Sequence, residues 1–234
     1  MEVAGVDGCH DGWLVVRAEA SDPLRLLDVS IAPTFTEVLR RTADCEAVGI
    51  DIPIGLSDDG RREPDVAARQ VLRPLRHNSV FPAPVRLVLD ATTDTTPYEK
   101  VCAISLSVHG KKMSKQAYYI MPKVRQAAHA MKPALQERIV EVHPEVSFWK
   151  LNSGRSMANR KSSRDGKKER LRLLLQVLED DLAAVSVPRG AALDDLYDAC
   201  AAAWTAGRLA LGQAERLPPE PARDSHGLRM EIVY

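Results

Sequence analysis

The chain has 234 residues, 45% of them hydrophobic and 27% charged, with 32 basic side chains balancing 32 acidic ones; this excludes a disordered, collagen-like or low-complexity polymer. No apolar run approaches the roughly 18 residues of a membrane span, and the opening Met1–Gly8 lacks the basic and apolar segments of a signal peptide, so the sequence predicts no membrane partner and a cytoplasmic protein. Cys9, Cys45, Cys102 and Cys200 stand singly, which argues against a disulfide framework or a thiolate zinc site.

In chain order, residues 2–7 and 12–18 read as β-rich runs joined by a short turn around Cys9-His10-Asp11, a hairpin. A third run covers 24–31. Thr34 or Thr36 then caps a short helix reaching about Ala43. Residues 47–53 are almost wholly apolar around Asp51, as expected of a strand buried on both faces and continuing through Ile52-Pro53-Ile54. This β-β-β-α-β order predicts an α/β layer fold whose strand ends form a site. From 57 to 132 the pattern becomes mostly helical, at 63–75, 97–109 and 114–131, with Pro122 expected to kink or restart the last of these. Residues 138–143 return as a strand. Residues 152–166 read as a mobile loop feeding a helix over 167–180, and residues 193–211 form the last long helix, with a short strand at 230–234.

Asp7 and Asp51 end apolar strands, where a carboxylate must be paired, hydrogen-bonded or bound to an ion. Asp7 also fits a simple Asp-Gly turn, and Asp51 fits a cap on nearby N–H groups. The last helix is apolar or small all round from Ala199 to Ala206, so it is buried. Asp195 and Asp198 project from one face of it, continued by Ala199, Ala202 and Ala206, whose small side chains let the helix approach a sheet. The competing reading is that Asp194, Asp195 and Asp198 merely favour the positive end of the helix dipole. If the carboxylates converge, their all-oxygen donor set suits Mg²⁺ or Mn²⁺, which activates water and stabilises a leaving oxygen in phosphodiester cleavage.

Glu141 and His143 share a strand face with Ile139, and Glu145 lies just beyond Pro144; all three are candidate auxiliary groups, or surface and capping residues. Charge is divided along the chain, with residues 61–172 at +13 between acidic ends. Eight Lys and Arg fall between Arg155 and Arg172, among them Lys161, Lys167 and Arg170, which suits either phosphate contact or a solvated helix start. No P-loop, dinucleotide fingerprint or Ser-His-Asp order stands out.

The chain resembles the DUF429 family, predicted nucleases of the ribonuclease H-like superfamily. The resemblance is carried by Gly5-Val6-Asp7-Gly8 with Gly12-Trp13, Ile50 to Gly55, Asn78 to Pro84, Glu141 to Phe148, Lys161 with Gly166 and Arg170, Asp194 to Ala199, and Gly227 to Ile232. It covers nearly the whole chain. It implies a single ribonuclease H-like domain with a mixed sheet, β-β-β-α-β-α-β-α, interrupted by a helical insertion over about 57–132. The Holliday-junction resolvase branch of that superfamily places acids on the first strand, the fourth strand and the last helix in the pattern D-x-x-D-A. Asp7, Asp51, Asp195 and Asp198-Ala199 match those positions, although the fourth-strand acid is more often glutamate there. The implied activity is a metal-dependent nuclease with nucleic acid as partner. An actin-like phosphoryl-transfer enzyme acting on a small substrate and a non-catalytic nucleic-acid-binding protein of the same fold stay open as alternatives.

Overall fold

The computed structural model describes residues 1–234. Strands β1 (Glu2–Cys9), β2 (Gly12–Glu19) and β3 (Arg25–Ala32) form an antiparallel meander, followed by helix α1 (Phe35–Arg41) and strand β4 (Ala47–Ile50). Thr34 caps α1, its hydroxyl accepting the Glu37 N–H at 3.2 Å. Helices α2 (Glu63–Val71), α3 (Arg86–Asp90), α4 (Tyr98–His109) and α5 (Lys115–Ala130) separate β4 from strand β5 (Ile139–Glu141). Helices α6 (Pro144–Leu151), α7 (Arg164–Leu174) and α8 (Leu193–Ala210) follow, and the chain ends with the short antiparallel pair β6 (Arg216–Leu217) and β7 (Ile232–Val233).

The main sheet is α/β and mixed, in the order β3-β2-β1-β4-β5, with β1, β4 and β5 parallel to one another and β2 antiparallel to both its neighbours. Two apolar layers cover it. One face, through Ala4, Val6, Val48 and Ile50, packs with α1, α4 and α5; the other, through Val3, Leu14 and Val16, packs with α8 and α7. The central strands are therefore buried on both sides, which is why their sequences are continuously apolar.

Helix α8 lies very close to the sheet. Gly5 and Gly49 are partners across the β1–β4 ladder. A Cβ on Gly5 would stand 2.0 Å from the Ala199 carbonyl oxygen, and one on Gly49 would stand 2.6 Å from that of Ala202. Only hydrogen in both positions admits the helix backbone, and Ala199, Ala202 and Ala203 on the helix complete the fit.

Several boundaries differ from the sequence reading. Strand β4 stops at Ile50, because the Ile52 N–H turns back to the Ile50 carbonyl at 2.9 Å, so the expected continuation through Ile54 is absent. Helix α5 runs unbroken through Pro122; Met121 and Val124 on its buried face hold it against the core. The strand expected over 138–143 ends at Glu141, and His143 opens α6, whose first residue Pro144 needs no backbone N–H partner. The stretch read as a mobile loop is tied down, since Glu169 of α7 accepts the Ala158 N–H at 2.8 Å and the Asn159 N–H at 3.0 Å.

Candidate metal centre

Side chains alternate along a strand, so Asp7 shares a face with Gly5, and Asp51, continuing from β4, shares one with Gly49. That face is the one α8 covers. Asp198 precedes Ala199 on the helix, directly over the glycine track. The outcome is a convergence: Asp7, Asp51 and Asp198 each offer a carboxylate oxygen, and the three oxygens lie within 4.8 Å of one another. Asp7 and Asp198 are buried and Asp51 is half-buried. The backbone fixes two of them, since the Asp51 N–H donates to the Val6 carbonyl at 2.9 Å and Asp7 Oδ1 accepts the Gly8 N–H at 2.7 Å.

Three carboxylates in one buried pocket resist ionisation. Burial, reinforced by the charges of Asp51 and Asp198, holds the Asp7 carboxyl well above its usual range. Burial pushes Asp51 up to about 6, with the Lys161 charge opposing. Asp198 also rises to about 6 through burial, although the same ammonium favours its charged form. Lys161 reaches in from the segment between α6 and α7, its Nζ donating to Asp198 Oδ2 at 2.7 Å while its side chain stays 48% exposed. Against the cost of burial, the carboxylates of Asp198, Asp7 and Asp51 hold that ammonium firmly charged.

Around this centre the other predicted residues divide. Glu145 is buried beside it, with one oxygen paired to Arg170 and the other, Oε2, without any partner. His143 lies next to Glu145 and Asp198; burial lowers its pKa, so the ring is neutral at pH 7, and its Nδ1 is buried without a partner. Asp195 lies outside the trio, its Oδ2 accepting the Ala192 N–H at 2.8 Å, although its charge still reaches Asp7. Glu141 faces the opposite side of the sheet from Val140 and Val142, accepting the Ile54 N–H at 2.7 Å and pairing with the buried Arg62, which also binds Asp65 at 3.0 Å. It clamps α2 onto the strand ends rather than joining the carboxylates.

The basic stretch also divides. Lys167 is half-buried, its Nζ 4.0 Å from Asp194. Arg170 is almost completely buried, paired with Glu145, donating to the Gly166 carbonyl at 3.1 Å and lying 5.5 Å over the Phe148 ring. It does not present a surface to phosphate. Lys123 is a cation that sequence reasoning missed: from α5 it crosses Gly8, donates to the Gly12 carbonyl at 2.6 Å and lies 5.1 Å over the Trp13 ring, within electrostatic reach of Asp7 and Asp195. Nothing near Asp7 in sequence points to it.

No curated protein matches the chain. A Thermus thermophilus RuvC structure aligns with 91% of this chain and 98% of that one, at 14% identity and a TM-score of 0.36. The family model described as a protein of unknown function, DUF429, matches residues 5–223, and the chain belongs to that family.

Proposed function

We propose that the protein is a divalent-metal-dependent phosphodiesterase of ribonuclease H-like type acting on nucleic acid. The observation that carries this reading is the trio Asp7, Asp51 and Asp198, whose oxygens lie within 4.8 Å at the carboxyl ends of parallel strands with a single ammonium among them. Lys161 in contact and Lys123 at longer range leave the three acids undercompensated, and the unpartnered Oε2 of Glu145 beside them is a further uncommitted oxygen. A hard, oxygen-seeking cation such as Mg²⁺ or Mn²⁺ fits this donor set. The observed β-β-β-α-β order and the acids on the first strand, just past the fourth strand and on the last helix agree with the arrangement implied by the family resemblance. Residues 57–132, which contain helices and no strand, are read as a mostly helical insertion into one domain.

Asp7, Asp51 and Asp198 would hold the ion, which lowers the pKa of a water and stabilises developing charge on a phosphodiester. Asp195 is left out of this set because it does not fall in the cluster of three oxygens and its Oδ2 is bound to the Ala192 N–H. Lys161, half-exposed and already directed at the centre, is the side chain best placed to meet a phosphate oxygen. Neutral His143, beside Asp198, can accept or relay a proton at Nδ1. The test is cleavage of end-labelled single- and double-stranded DNA and RNA with Mg²⁺ or Mn²⁺, with the parent and Asp51→Asn. Metal-dependent cleavage lost in the variant is expected; the absence of cleavage on all four substrates, together with no calorimetric Mg²⁺ or Mn²⁺ binding, refutes the reading.

A further inference from the structure

A second feature lies entirely within the helical segment. A cavity of about 520 Å³ is enclosed by the loop before α2, the Pro82–Val85 turn, the end of α4 and the start of α5. It shares no residue with the carboxylate centre, and its volume falls in the range of small-ligand sites. Three exposed cations, Arg61, Lys111 and Lys112, line it without forming an ion pair, whereas Arg62 in the same wall is neutralised by Asp65 and Glu141. Three cations without ion pairs around one cavity, against the single lining carboxylate Asp59, concentrate positive potential there.

The rest of the lining has two characters. Pro84, Val85, Met113 and Ala117 form a buried apolar wall. Ser105, His109, Ser114 and Asp59 are polar. Ser105 and His109 are hydrogen-bonded at 2.9 Å, but the Ser105 hydroxyl donates to the Lys111 carbonyl at 2.7 Å, so Nε2 of His109 must be the donor to Ser105. That arrangement withholds the serine proton from the histidine. The pair therefore fixes the loop that carries Lys111 and Lys112 and is not a nucleophile–base pair. The Ser114 oxygen accepts the Ala117 N–H at 3.1 Å, leaving its own O–H free to donate. Asp59 supplies an acceptor for a hydroxyl.

We propose that this cavity binds a nucleotide, its phosphate met by Arg61, Lys111 and Lys112 and its ring laid on the Pro84–Met113 wall. A phosphate alone would use the cations but leave the apolar wall unmatched, and a neutral apolar ligand would leave the cations uncompensated. No Phe, Tyr or Trp lines the cavity, and its one aromatic ring, the His109 imidazole, is tied to Ser105, so the base is held mainly by packing and discrimination among bases is weak. The nucleotide arrives either free or as one unit of a strand. The proposal requires neither a metal ion nor hydrolysis.

The experiment is calorimetric titration, in the presence of chelator, of the full chain with adenosine monophosphate, a short oligodeoxyadenylate and inorganic phosphate. It is run on the parent, on the combined Arg61→Gln, Lys111→Gln, Lys112→Gln variant, and on a control with Lys100, Lys132 and Lys168 changed to Gln. All six side chains are exposed, so the fold is preserved. Loss of charge-assisted contacts is expected to weaken nucleotide binding about tenfold or more in the first variant and not in the control. Weakened binding of the monophosphate marks a free nucleotide; binding confined to the oligomer and weakened likewise marks a strand unit. Both persist in Asp51→Asn, which separates this site from the metal centre. No binding of either probe at millimolar concentration, equal affinity in parent and variant, or inorganic phosphate binding as tightly as the nucleotides overturns the proposal.

Discussion

Gly5 and Gly49 stand opposite each other in the parallel β1–β4 register, and each lies two residues before an aspartate of the carboxylate trio. The two glycines let α8 descend onto the sheet, and the period of the strand then aims Asp7 and Asp51 at the same place, where the helix delivers Asp198. Packing and chemistry are thus one arrangement. Gly5→Ala brings a methyl group to within 2.0 Å of the Ala199 carbonyl and must displace the helix backbone. Denaturant unfolding should show a loss of about 1–3 kcal/mol or more, accompanied by weaker Mg²⁺ binding. Unchanged stability would mean that α8 does not sit on this track.

Asp51→Asn tests the electrostatics. The folded-state pKa of Asp51, about 6, lies above its ordinary 3.8, so the folded chain holds a proton that the unfolded chain gives up. Stability from this group is complete below about pH 4 and is lost as pH rises through about 6. In chelator, parent and variant should therefore differ least near pH 4. The variant should become the more stable by an amount on the order of 2–3 kcal/mol above pH 7. Added Mg²⁺ should reverse the order by stabilising only the parent. Calorimetric melting across pH 4–8 measures both, and a pH-independent difference would contradict it.

Asp195 and Asp198 read as one pair in the sequence, three apart on one helix face. The structure gives them different partners. Asp198→Asn is expected to abolish Mg²⁺ binding, while Asp195→Ala should cost only about 0.5–1 kcal/mol through loss of the bond to the Ala192 N–H, with Mg²⁺ affinity retained. Titration calorimetry on the two variants distinguishes them, and equal loss of ion binding would return Asp195 to the ligand set.

The strand-borne part of this molecule was legible because its signals are local. Continuous apolar runs mark β1, β2 and β4, and a lone aspartate at the end of such a run has few explanations. The small-residue face of the last helix likewise told of a close approach to a sheet, although its glycine counterparts at 5 and 49 were not recognised. What was not legible depends on distant partners. Asp195 differs from Asp198 only because the first turn of α8 leaves the Ala192 N–H to be satisfied. Arg170 looked like one more member of a basic cluster, and its burial follows from Glu145, 25 residues earlier. Lys123 reaches Gly12 across 111 residues. Helix α6 is not legible because Pro144–Leu151 is short and its polar Glu145 and Ser147 are buried along with its apolar residues, which leaves no clear helical period.

Arg170 itself gives the last prediction. A phosphate-contacting arginine and a buried structural one respond differently to substitution. The guanidinium is almost completely buried, paired with Glu145 and held to the Asn159 and Gly166 carbonyls, so it joins α6, α7 and the segment that carries Lys161. Arg170→Ala leaves the Glu145 charge uncompensated in the interior, and the expected loss is about 3–5 kcal/mol in denaturant unfolding. Lys161→Gln removes a half-exposed cation but leaves the buried Asp198 without its charged partner, and should cost a smaller amount, about 1–3 kcal/mol in chelator. It should also free Asp198 and tighten Mg²⁺ binding in the absence of nucleic acid while weakening nucleic-acid binding. Were Arg170→Ala to lower nucleic-acid affinity with stability intact, the arginine would belong to the substrate surface and not to the frame beneath it.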